Sequence, residues 1–113
     1  MWTCSYKTTI ASHYSEVEDA PHTGTYKVIY DGNPNFYITQ RLYGYDNRDN
    51  KQRVVCENGV VTGLNGAEVI SSNTTDGTTE VTFSLTVKHG RYASSVTELH
   101  LYEDSYPDNV SHI

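Results

Sequence analysis

Tyr37, Arg41, Tyr43 and Tyr45 fall at odd positions of one short stretch, and Asp46, Asn47 and Asp49 follow directly. If that stretch is a β-strand, its period of two sends all four large side chains to one face. A phenol ring offers a flat apolar platform with a hydroxyl at its rim, a guanidinium offers planar donors, and Asx side chains add short-range hydrogen bonds. That combination suits the C–H faces and hydroxyls of a sugar. It also suits a protein interface, where Tyr and Arg are enriched.

The expectation is therefore a carbohydrate-binding module or small lectin whose surface comprises Tyr37, Arg41, Tyr43, Tyr45, Asp46, Asn47 and Asp49. A protein-interaction or inhibitor domain, or a structural or coat β-protein, is the alternative. Tyr92, Tyr102 and Tyr106, with His100, read as a second patch. A shallow site buries little of one sugar, so useful avidity calls for several sites and hence a homo-oligomer with a glycan as partner.

Other groupings carry less chemistry. His13, His22, His89, His100 and His112 are scattered, and none falls in an H-x-H or H-x-x-x-H pair that would preposition a metal. There is no G-x-S-x-G elbow for a nucleophile, and the many carboxylates are no more than any acidic β-protein offers, so the chain reads as a non-enzyme. No cofactor is expected. Calcium is the lesser alternative, since Asp46, Asn47, Asp49 and Asn50, with Asp31, Asn33 and Asn35, supply hard oxygen ligands in a spacing that is not an EF-hand.

Cys4 and Cys56 are the only cysteines, each inward-facing by parity. In an oxidising compartment they are expected to pair, closing a loop of about 50 residues worth about 4 kcal/mol on the chain-entropy model. In a reducing one they are two small buried hydrophobes. The sequons Asn73-Thr74-Thr75 and Asn109-Val110-Ser111 lean toward a secreted or extracellular setting over a cytoplasmic one. Met1-Trp2-Thr3-Cys4 has neither the charged n-region nor the apolar h-region of a signal peptide. No apolar run approaches the ~20 residues of a membrane span. A net charge of -6 with 8 Lys+Arg argues against nucleic acid, which needs a basic stripe.

The elements that must position these residues are strands. In Thr78 to Lys88, Val81, Phe83, Leu85 and Val87 alternate strictly with polar residues, which defines a core side and a water side. Trp2 to Ile10, Thr25 to Asp31, Phe36 to Tyr45, Gln52 to Cys56, Val60 to Leu64, Glu68 to Ser72 and Tyr92 to Glu103 read as further strands. Ser12 to Gly24 reads as a long connection with one helical turn from Ser15, and the tail from Asp104 as irregular. Asp31-Gly32-Asn33-Pro34-Asn35 reads as a hairpin turn, and Asn58-Gly59 and Asn65-Gly66 as two-residue type I′ turns. The fold expected is an all-β antiparallel sandwich of about 7–8 short strands in one domain over residues 1–113, with a small β-barrel as the alternative. Its core should unite Val81, Phe83, Leu85, Val87, Leu99, Leu101, Ile38 and Phe36.

Overall fold

Alternation in the chain becomes nine strands in the computed structural model, which describes residues 4–43, 50–102 and 109–112. In chain order they are β1 (Cys4–Ser15), β2 (His22–Asp31), β3 (Phe36–Tyr43), β4 (Arg53–Glu57), β5 (Val60–Leu64), β6 (Glu68–Thr75), β7 (Thr78–Val87), β8 (Ala93–Tyr102) and β9 (Asn109–His112). They form a five-stranded sheet, β1-β8-β3-β4-β5, and a four-stranded sheet, β6-β7-β2-β9. Every pairing is antiparallel.

The two sheets enclose one apolar layer. Val81, Phe83 and Leu85 of β7 and Tyr26, Val28 and Tyr30 of β2 are buried against Phe36, Ile38, Val54, Cys56, Leu99 and Leu101 of the opposing sheet. All eight expected core residues are inside, Val87 among them. The core also holds two tyrosines, whose rings pack on Phe83 and Phe36 with centroids 5.6 and 5.8 Å apart. Burying a hydroxyl costs free energy unless it is hydrogen-bonded. Tyr26 therefore meets Thr97 Oγ1 at 3.0 Å, and Tyr30 donates to the Gly59 carbonyl at 2.7 Å. Among the described residues no buried side-chain nitrogen or oxygen lacks a partner.

Several boundaries differ from the sequence reading. β1 continues to Ser15 and β2 begins at His22, so the connection between the sheets is only residues 16–21 and contains no helix. Asp31 to Asn35 does not close a hairpin, because β2 and β3 lie in opposite sheets. Asn65-Gly66, with φ of 57° and 99°, likewise carries the chain from one sheet to the other. Asn58-Gly59 and Asp76-Gly77 do close hairpins, β4–β5 and β6–β7. Turn chemistry fixes the local bend; whether the next strand pairs with the last depends on which sheet can bury its apolar side. The tail expected to be irregular supplies β9, which pairs with Tyr26 to Ile29 of β2.

The expected Cys4–Cys56 disulfide is a further correction. Cys4 pairs with Tyr102 at one edge of the five-stranded sheet, while Cys56 pairs with Phe36, and β8 and β3 lie between their strands. Three strand spacings amount to ~14 Å, against the ~7 Å between Cα atoms that a disulfide spans. Cys56 is a buried free thiol.

Candidate functional site

β3 buries Phe36, Ile38 and Gln40 and turns Tyr37, Thr39, Arg41 and Tyr43 outward, as its period requires. Its neighbour β8 sets His100 opposite Tyr37, Glu98 opposite Thr39, Val96 opposite Arg41 and Ser94 opposite Tyr43. Lys7 and Thr9 of β1 continue two of these rows on one side, and Val55 and Arg53 of β4 continue them on the other. The outer face of the five-stranded sheet thus carries aromatic and charged side chains in register.

Tyr37 and His100 stack at 4.4 Å between centroids and 5° between planes, and Tyr102 lies 5.5 Å from Tyr37 at 42°. Direct cross-strand neighbours are close enough for rings to stack, which fixes the pair without help from a loop. The Thr39 hydroxyl meets His100 Nε2 at 3.2 Å. Burial is the main influence holding the His100 imidazole below its ordinary range, with Lys7, Arg53 and Arg41 acting in the same direction and Glu98 against them.

Beside the rings, Glu98 is a carboxylate on the water side of the sheet that is nonetheless only 4% exposed. Its Oε2 lies 3.2 Å from Arg41 Nη2 and 3.9 Å from Lys7 Nζ, and its Oε1 lies 3.9 Å from His100 Nε2. Arg41 also donates to the Tyr43 hydroxyl and lies over the Tyr43 ring at 4.7 Å from its centroid. Tyr43 remains 40% exposed.

Of the residues expected in the site, Tyr37, Arg41 and Tyr43 share this face, whereas Tyr45, Asp46, Asn47 and Asp49 lie outside the described residues. His100 and Tyr102, expected in a second patch, join the first. Tyr92 stands apart, exposed beneath the Arg91 guanidinium, and Tyr106 lies outside the described residues. Lys7, Thr39 and Glu98 were missed. The parity of β8 puts Glu98 outward, yet only the order β1-β8-β3 reveals that cations from both neighbours converge on it.

Three of the described Asx side chains are engaged within the protein. Asn35 Oδ1 accepts from the Asn58 amide at 2.9 Å, Asp31 Oδ1 from the Thr78 hydroxyl at 2.5 Å, and Asn50 Nδ2 donates to Gln40 Oε1 at 2.7 Å. Among the described residues no group of three or more His, Cys, Asp or Glu is gathered to hold a metal ion, and no helix is long and apolar enough to cross a membrane. No family model, curated protein or solved structure matches the chain.

Proposed function

We propose that the outer face of the five-stranded sheet binds carbohydrate, with Tyr43, Tyr102 and the Tyr37–His100 stack giving apolar surface and Arg41, Thr39 and Lys7 giving donors. The observation that carries this reading is the ordered stack of Tyr37 on His100 beside the exposed Tyr43, an aromatic surface fixed in place before any ligand arrives. Such preorganisation lowers the ordering cost of binding. One sugar on so open a surface buries few atoms, so millimolar affinity, roughly -4 kcal/mol, is expected. A homo-oligomer would raise this by avidity. Exposure of Asn73, the acceptor of one sequon, on β6 supports an extracellular setting.

A second reading, a protein-interaction surface, is favoured by one observation: one face of each ring is already covered, Tyr37 by His100 and Tyr43 by Arg41. Rings covered on one face leave less open platform for a sugar, and their edges and hydroxyls fit a protein partner as well.

A glycan array with and without EDTA, on wild type and on Tyr43→Ala and Tyr102→Ala, separates the two. Binding to defined glycans that both variants lose, in folded protein, is the expected result. A blank array together with capture of a defined protein partner that the same variants abolish would replace the lectin with the interaction module.

A further inference from the structure

Three histidines distant in sequence meet at one end of the sandwich. His13 comes from β1, His22 from the start of β2, and His89 from the connection between β7 and β8. His13 Nδ1 lies 3.0 Å from His89 Nε2, and the His13 ring stacks on His22 at 3.7 Å between centroids and 8° between planes. His89 is 1% exposed. Its Nδ1 faces the Gly90 carbonyl at 3.1 Å, which can only accept. His89 therefore carries its proton on Nδ1, its bare Nε2 accepts, and His13 Nδ1–H donates. This is not a metal cradle, since near-parallel stacked rings do not converge their lone pairs on one point.

The cluster sits where the two connections at this end meet. The Asp19 amide donates to the His89 carbonyl at 3.1 Å, and the Tyr92 amide to the Ser15 carbonyl at 2.9 Å. Together with His13 and His22, Ser12 of β1, Tyr26 of β2, Gln40 of β3 and Ser95 and Thr97 of β8 line a cavity of about 10 Å³, room for one water. The Tyr26 hydroxyl is engaged by Thr97. The connections add the exposed Glu16, Glu18 and Asp19 on one side and the exposed Lys88 and Arg91 flanking His89 in the chain on the other. The charges that act on His13 are those of His22 and His89.

We infer that His13, His22 and His89 form an acid-sensitive latch, in which neutral rings hold the β1–β2 and β7–β8 connections together and protonation releases them. One proton can be shared across the 3.0 Å His13–His89 contact, because one nitrogen still accepts. A second sets two N–H groups head to head, and a charge on His22 adds a stacked cation. Burial, then His22 and His89, hold the His13 imidazole below its ordinary value of 6.5. The released state takes up its proton near that value and the latched state resists it. Latching is thus fully present above about pH 6.5 and is lost as pH falls below it.

Amide hydrogen exchange on the intact protein at pH 7.5 and pH 5, corrected for intrinsic rates, tests this. Residues 16–22 and 88–93 should lose protection severalfold at pH 5, while Val81 to Leu85 keep theirs. His13→Asn places a non-titrating carboxamide where Nδ1 donates, and its acid loss should be smaller than that of wild type. Unchanged protection in wild type at pH 5, or an equal loss in wild type and variant, would overturn the latch. If the variant does not fold, ring NMR titration of wild type decides: a His13 value below 6.5 supports the latch, and a His13 value at or above 6.5 overturns it.

Discussion

Glu98 shows how a residue on the outward face of a sheet can still be buried by its neighbours. Its parity is outward, yet at 4% exposure it depends on its neighbours rather than on water for its charge. Arg41 is the nearest, at 3.2 Å, with Lys7 at 3.9 Å. Removing one partner of a nearly buried ion leaves the other underserved, an effect of about 1.5–3 kcal/mol for a bond to a charged group. Because the Arg41 side chain is itself half exposed, solvent screening reduces this, and Arg41→Ala should cost about 1–2 kcal/mol in urea unfolding. Arg91→Ala is the control. Its partner is the exposed Tyr92, so its effect should stay within about 0.5 kcal/mol. Equal costs for the two would mean that Glu98 is solvated after all.

At the scale of elements, parity was legible and pairing was not. Val81, Phe83, Leu85 and Val87 announced a half-buried strand because the period of two is local, and the same reasoning placed Tyr37, Arg41 and Tyr43 outward. Which strand lies beside which is a long-range property. His13, His22 and His89 therefore looked scattered, and Cys4 and Cys56 looked pairable. Inward parity is needed for a disulfide but does not supply proximity. The turns divide in the same way. Gly59 and Gly77 both have positive φ, 80° and 83°, and close hairpins, but their surroundings differ. A Cβ at Gly59 would meet Asn33 Oδ1 at 2.7 Å and the Asn33 Cα at 3.0 Å, whereas at Gly77 nothing lies within 4 Å. Gly77→Ala should then cost about 1 kcal/mol for the left-handed backbone alone. Gly59→Ala adds a backbone collision and should cost about 1–2 kcal/mol more, read as a lower denaturant midpoint at unchanged slope.

Across the whole molecule the two sheets are joined by polar bonds as well as by the apolar layer. Tyr26 reaches Thr97, Gln52 Oε1 accepts from the Thr86 amide at 2.7 Å, and Tyr30 of the four-stranded sheet donates to Gly59 in the turn of the five-stranded sheet. Tyr30 also meets Cys56 of that sheet, whose thiol donates to the Pro34 carbonyl at 3.4 Å. These groups serve only while protonated. Burial above all pushes the Tyr30 hydroxyl up to about 12, with the Cys56 charge adding to it, and burial pushes the Cys56 thiol up to about 11.

An unfolded chain loses these protons earlier, the thiol near 8.5 and the phenol near 10. Raised values in the folded state mean that the unfolded state sheds protons first, so both contributions are intact below about pH 8.5 and decline as pH rises through about 11 and then about 12. Urea midpoints measured from pH 8 to 11 should therefore fall progressively. Cys56→Ala removes the earlier of the two titrations and should move the onset of that fall up by about 1.5 pH units, toward the phenol range, even though its lost sulfur lowers stability at every pH. A Cys56→Ala profile that ran parallel to wild type would mean that the thiol titrates alike in both states and does not help hold the sheets together.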